Sequence, residues 1–363
     1  DSLNLYLHDS DFFKNGDTLF LDTGNVTKNG FKFDNVKYIS KEKDKQLRAG
    51  KLEKKDFVLT SRGTLGNVGF YDELIYKYHP KIRINSAMLI LRKTDEKLSY
   101  NYLHTLLKGK LVSDFMRKNQ VGSAQPHITK TEFLKLDMNV PRDIKEQQKI
   151  GTFFKQLDDT IALHQRKIEQ LKLLKQAFLQ KMLANQENVP ELRFADFDVY
   201  WEQHTLGETT DIRAGRDYKH LKSGNIPVYG TGGYMLSVDD ALSFDKDAIG
   251  IGRKGTIDNP YILKAPFWTV DTLFYVIPRN GNEIDFFYSV FQKINWKSKD
   301  ESTGVPSLSK STINSILVYA PSKDEQKKIG TFFKYFDENI LIHQHKVNLL
   351  KKLKKAFLQK LFI

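Results

Sequence analysis

Residues 146–181 read EQQKIGTFFKQLDDTIALHQRKIEQLKLLKQAFLQK, and residues 325–360 read EQKKIGTFFKYFDENILIHQHKVNLLKKLKKAFLQK. Roughly two-thirds of the positions agree without a gap, so the chain holds an internal duplication with a period of about half its length. In the first copy Ile150, Phe154, Leu157, Ile161, His164, Ile168 and Leu171 follow one another in alternating steps of four and three. Ile329, Phe333, Phe336, Ile340, His343, Val347 and Leu350 repeat that spacing in the second. This is the heptad seam of a long helix, with one polar position that is His in both copies. The apolar residues carry the seam on through Leu174 and Phe178, and through Leu353 and Phe357. One helix cannot bury such a stripe on itself. Two copies in one chain predict helices packed on each other, against the alternative that each packs only on its own domain. A matched His pair in a seam fixes register or responds to pH, and register is the simpler reading.

The helix starts are marked as well. Pro141 and Pro321 precede them, and Asp143 and Ser322 are N-cap residues with Glu146 and Glu325 three positions on, as in a capping box. Some 40 residues at ~1.5 Å each give a rod of about 60 Å. Gly151 and Gly330 near its start are read as points of bending.

Before each helix lies a segment of another kind, with short β-like runs and Gly turns. FVLT (57–60), AMLILR (87–92) and LFYVIP (273–278) read as strands, and shorter helices are expected around 100–118 and 285–294. Turns such as Arg62-Gly63-Thr64-Leu65-Gly66 and Gly230-Thr231-Gly232-Gly233 join them. SRGTLGNVGF (61–70) parallels GRKGTIDNPY (252–261), and GSAQPHITKTEFLKLDMNVP (122–141) parallels STGVPSLSKSTINSILVYAP (302–321). Two variable heads therefore sit beside two near-constant rods. The expected fold is α+β: two globular target-recognition domains joined by two long antiparallel coiled-coil helices, with a pseudo-twofold internal repeat. The domain boundaries are 1–142 (first head), 143–186 (central helix), 187–320 (second head) and 321–363 (distal helix).

Composition narrows the function. The 57 Lys and Arg against 44 Asp and Glu leave a net charge of +13, which suits a polyanion such as nucleic acid. No cysteine is present, which excludes disulfides, thiolate catalysis and Cys-based zinc sites. No apolar run approaches the ~18 residues of a membrane span, and Asp1 opens no signal peptide; the chain is expected to be cytoplasmic, with no membrane partner. Asp258-Asn259-Pro260-Tyr261 lacks the second Pro of an amino-methyltransferase motif and reads as a turn. No P-loop occurs, and His343 and His345 lie two apart, on different helix faces. No cofactor, metal or catalytic residue is expected.

With these residues in view, the chain resembles the DNA-specificity subunits of type I restriction-modification enzymes over essentially its whole length. The duplicated E-Q-x-K-I-G-x-F-F segments are similar to that family's spacer regions. Pro190-Glu191-Leu192-Arg193-Phe194, then Trp201-Glu202-Gln203 and Leu206-Gly207-Glu208, resemble its lead-in to a recognition domain. The first head shows no counterpart of that lead-in, since the sequence begins at Asp1 inside it. The resemblance implies a non-catalytic subunit that reads a bipartite double-stranded DNA target, one head per half-site. It also implies two methyltransferase (M) subunits as partners, with restriction (R) subunits joining them. The alternatives are a coiled-coil protein-binding adaptor and a stand-alone DNA methyltransferase.

Base and phosphate contacts call for cationic and hydroxyl or amide side chains on exposed loops. In the first head these are Arg62 and Thr64, then Arg117, Lys118, Asn119, Gln120, Ser123, Gln125 and His127. In the second they are Arg213, Arg216, Arg253, Lys254, Lys297, Lys299, Thr303 and Ser307. The run Lys351, Lys352, Lys354 and Lys355 on the last helix is read as a solvated face.

Overall fold

The computed structural model describes residues 7–122, 124, 126–184 and 188–361. The chain divides into two compact units, residues 1–163 with 347–363, and residues 164–346.

In the first unit the strand Phe57–Thr60, buried along its whole length, lies between Val68–Phe70 and Met88–Leu91, antiparallel to both. A second sheet sets Thr18–Leu21 antiparallel to Lys37–Ile39 and parallel to Ile82–Ile84. The helix expected around 100–118 is two helices, Tyr100–Leu107 and Lys110–Asn119, and Gly109 between them is the N-cap of the second. Phe57, Leu59 and Val68 pack with Tyr102, Leu106, Met116 and Phe133 into one core.

The second unit repeats this plan with more strands. Thr210–Ala214, Leu273–Pro278, Ala248–Gly252 and Tyr261–Leu263 form an antiparallel sheet in that order. Ser223–Gly230 pairs antiparallel with Gly233–Val238 and parallel with Trp268–Thr269. Glu202–Thr205 pairs with Leu317–Ala320. The helix Ile284–Lys293 supplies Phe286, Phe287 and Phe291 to the core, where Trp201 and Trp296 join them.

Both repeat segments are helices, Ile144–Met182 and Lys323–Leu361, of 39 residues each. In the first unit Phe153 meets Phe357 edge-on at 5.1 Å, and Lys354 pairs with Asp158. In the second, Phe178 meets Phe332 at 5.2 Å, and Leu171 is buried with Phe336 and Ile340. Within each unit the partners run in opposite chain directions, so the helices are antiparallel there.

Three sequence expectations change in detail. Leu174 and Leu353 are 49% and 42% exposed, and Lys175 and Lys354 take the seam positions instead. The alternation of fours and threes, continued from Leu171, lands on Lys175; the apolar character of Leu174 misdirected the reading. Gly151 and Gly330 are points of close approach. A Cβ on Gly151 would lie 2.4 Å from the Tyr102 nitrogen, and one on Gly330 would lie 2.8 Å from the Phe286 nitrogen. The glycines let each long helix touch the backbone of its unit's short helix. The caps are simpler than a capping box. The Ser322 hydroxyl accepts from the Glu325 N–H at 3.4 Å, and Asp143 accepts from the Lys145 N–H at 2.8 Å. The buried Glu325 carboxylate accepts from Arg193 Nε and Nη2, each at 2.7 Å.

Candidate nucleic-acid interface

The strand Phe57–Thr60 ends in a tight turn in which Gly63 and Gly66 have φ of 69° and 81°, the left-handed region that glycine tolerates. The Thr60 hydroxyl donates to the Thr64 carbonyl and accepts from the Asn67 N–H at 2.9 Å, which fixes the turn. The Gly63 N–H donates to the Pro126 carbonyl at 3.2 Å, and the Ile128 N–H to the Ser61 carbonyl at 3.0 Å. Val121 and His127 exchange two backbone hydrogen bonds, 2.8 and 2.9 Å long. The turn is thereby zipped to the loop that follows the helix Lys110–Asn119. Arg62, Thr64, Lys118 and Gln120 are exposed there, and His127 is half-buried. Arg117 is exposed and pairs with Asp114 at 3.0 Å. The Asn119 side chain donates to the Phe115 carbonyl at 2.8 Å, so its NH₂ caps the helix end. Ser123 and Gln125 lie outside the described residues.

The second unit repeats the zipper with other residues. The Gly255 N–H donates to the Pro306 carbonyl at 2.8 Å, and the Leu308 N–H to the Arg253 carbonyl at 2.9 Å. Asp300 organises the facing loop: Oδ1 accepts from the Ser302 and Ser307 N–H groups at 3.0 and 2.9 Å and from the Ser302 hydroxyl at 2.9 Å. These hydrogen bonds, the one from Ser307 foremost, hold its carboxyl below the usual range. Thr303 is exposed at the tip of that loop, and Ser307 is half-buried at its base. Arg216 and Arg253 flank one turn, donating backbone hydrogen bonds of 2.8 Å to the Thr269 and Thr272 carbonyls. The structure thus gathers Arg216, Arg253, Lys254, Thr303 and Ser307. Lys297 and Lys299 are exposed on the 3-10 turn Trp296–Lys299, and Lys297 pairs with Asp258 at 2.9 Å. Arg213 stands apart in its strand, with Nε 2.7 Å from Asp211, which also receives Arg279 at 3.4 Å.

Sequence reasoning missed the residues that fix each head to its helix. Gln147 and Gln326 are 2% exposed. Gln147 accepts from the Ser99 N–H at 2.8 Å and donates to the Lys97 and Pro141 carbonyls at 3.1 and 2.8 Å. Gln326 accepts from the Glu283 N–H at 3.1 Å and donates to the Asn282 side chain and the Pro321 carbonyl at 3.2 and 3.0 Å. The signal was present in the repeated Glu-Gln pair.

Two mixed helix-and-sheet domains in tandem, each with a basic, zipped pair of loops and a long helix, define a duplicated protein with two presenting surfaces. The sequence profile described as "Type I restriction modification DNA specificity domain" matches residues 5–173 and 198–352, and the chain belongs to that family: it is a type I restriction-modification specificity subunit. It is similar to the type I restriction enzyme MjaIX specificity subunit of Methanocaldococcus jannaschii, with 29% identity over 124 residues. That match covers 33% of this chain and 29% of the relative, less than a third of the relative's length. The fold is similar to the crystal structure of a type I restriction-modification S subunit from M. genitalium, with a TM-score of 0.71 and 16% identity, covering 99% of this chain and 92% of that one. A second solved structure, from work on assembly and conformational transition of the type I R-M system, gives a TM-score of 0.52 at 13% identity, covering 94% and 90%. Among the described residues no helix is long and apolar enough to cross a membrane.

Proposed function

We propose that this chain reads a bipartite double-stranded DNA target, one head per half-site, and carries two adenine methyltransferase subunits that restriction subunits join. In this reading 1–142 and 187–320 recognise DNA, while 143–186 and 321–363 set the spacing. The observation that carries it is the recurrence of one loop device in two different sequences. Arg62-Gly63 on Pro126-His127 and Lys254-Gly255 on Pro306-Ser307 share a backbone hydrogen bond from Gly to Pro. A constant frame with variable side chains is what two distinct half-sites require. Exposed Arg62, Lys118, Arg216, Arg253 and Lys254 supply phosphate contacts, and Thr64, Gln120, Thr303 and Ser307 face base edges. The chain itself performs no chemistry. The fragment most like an amine-binding motif is engaged elsewhere, with Asp258 on Lys297 and the Tyr261 hydroxyl on the Gly230 carbonyl.

The test is a head exchange. Residues 187–320 are replaced by the corresponding head of another specificity subunit, the chain is co-expressed with a methyltransferase subunit, and methylated adenines are mapped genome-wide. One half of the motif should change. A change in both halves, or in neither, refutes the modular reading.

A further inference from the structure

We infer that the tip of the hairpin formed by Ser223–Gly230 and Gly233–Val238 enters the major groove of the DNA target, with Thr231, Tyr234 and Met235 determining specificity in the second unit. The inference rests on the DNA-reading function proposed above and adds an element that the loop cluster lacks.

The hairpin closes on the pair Gly230–Gly233, with Thr231 and Gly232 as its turn and Gly233 at φ 105°. Next to this turn Tyr234 is 63% and Met235 49% exposed. Two large side chains exposed at successive positions beside a turn offer apolar surface for a contact. The tip is also held firmly. The Tyr261 hydroxyl donates to the Gly230 carbonyl at 2.6 Å, and the Tyr229 ring lies between those of Tyr234 and Tyr261, at 6.3 and 6.1 Å. A floppy tip needs no such brace, whereas an element that must meet a ligand in one geometry does.

Placement and charge identify the ligand. A Cβ built on Gly255 would come 3.8 Å from the Thr231 hydroxyl, so the tip adjoins the Lys254-Gly255 turn. Residues 230–237 contain no acid, and the exposed Asp239 and Asp240 lie at the opposite end of the hairpin from the turn. The tip therefore presents neutral and apolar groups beside exposed cations. A two-stranded ribbon fits the major groove, where a Thr hydroxyl reaches base edges and apolar side chains meet the thymine methyl. Within the first unit the strands Thr18–Leu21 and Lys37–Ile39 are instead joined through the small hairpin Val26–Thr27 and Gly30–Phe31. Phe31 of that hairpin packs on Gly69, where an added Cβ would lie 2.7 Å from its ring.

The test uses the full chain and a pool of random-sequence duplex DNA, from which bound molecules are selected and sequenced. Thr231→Val, Tyr234→Ser and Met235→Ser are compared with the parent chain and with Lys254→Ala. The hairpin variants should keep the parent melting temperature and bind unselected DNA within about 2-fold, yet lose base preference at two or more positions of one half-site. Tyr234→Phe should retain the parent motif. If the parent selects a motif and Lys254→Ala weakens binding, but the hairpin variants select the parent motif unchanged, the hairpin inference is wrong and the DNA-reading function stands. If the parent selects no motif, both fall.

Discussion

His164 and His343, 179 positions apart in the chain, meet with their Nδ1 atoms 2.8 Å apart. One nitrogen must donate and the other accept, so the contact tolerates at most one shared excess proton. Burial foremost, then His164, Lys346 and Lys167, lowers the His343 pKa. Replacing His343 by Leu strands the His164 nitrogen and should cost about 1–2 kcal/mol. The double variant His164→Leu/His343→Leu puts an apolar pair in the seam and should cost less than either single change. Urea denaturation of the three variants measures this; strictly additive losses would show the rings to be uncoupled.

Lys175 and Asp337 should respond unequally to substitution. The Lys175 side chain is 8% exposed and Asp337 35%, with the Tyr288 ring 5.7 Å from the ammonium. Removing Asp337 leaves a buried cation without its partner, so Asp337→Ala should cost about 3 kcal/mol. Lys175→Met keeps the stem and leaves a carboxylate that water reaches, at about 1 kcal/mol. Equal losses in thermal unfolding would contradict this asymmetry.

His104 makes stability depend on pH. Burial foremost, then the charge of Lys108, pushes its pKa down to about 4, and its Nε2 lacks a hydrogen-bond partner among the described residues. Its ring sits 5.9 and 5.5 Å from those of Phe57 and Phe70. Above about pH 6.5 neither folded nor unfolded His104 holds the extra proton, and its contribution is complete. As the pH falls the unfolded chain takes a proton that the folded chain refuses, and about 2 kcal/mol should be lost by pH 5. His104→Phe should flatten that part of the profile in calorimetry between pH 7 and 5. An unchanged profile would place the titration elsewhere.

Gly151→Ala should destabilise the first unit although it raises helix propensity. The added methyl would sit 2.4 Å from the Tyr102 nitrogen and 2.6 Å from the Asn101 carbonyl carbon. Overpacking of this kind costs about 1–3 kcal/mol. A stabilised Gly151→Ala in a melting experiment would mean that the two helices separate easily.

Binding to DNA should fall steeply with salt, because phosphate contacts release counterions. Lys254→Ala should reduce the log–log slope by about one and weaken all sequences alike. Arg213→Ala should leave the slope nearly unchanged, since Arg213 is already neutralised by Asp211 at 2.7 Å. Filter binding across a salt series distinguishes the two.

The helices and their antiparallel partnership were legible because a seven-residue period survives in sequence, and the strand 273–278 was legible as a continuous apolar run. What resisted was anything decided by contacts distant in the chain. Lys175 in a seam looks like a surface residue until Asp337 is placed against it. The Tyr102 backbone beneath Gly151 is not visible from the helix sequence alone. Among the loop residues, Arg62 and Lys254 stand exposed on the turns that the parallel sequences marked, whereas the engagements of Arg213 and Asn119 are products of local folding. The hairpin at Thr231 was visible only as a turn.

Each helix carries both halves of the ion pair that fastens it. The first holds Asp158 and Lys175, the second Asp337 and Lys354, at corresponding places of the repeat, and each acid meets the other helix's lysine. A surface with this pattern is isologous: it recognises its own copy turned end for end. The same acid–lysine rule therefore serves in both units of the chain. The two heads differ in sequence while the ion pairs between the helices stay the same.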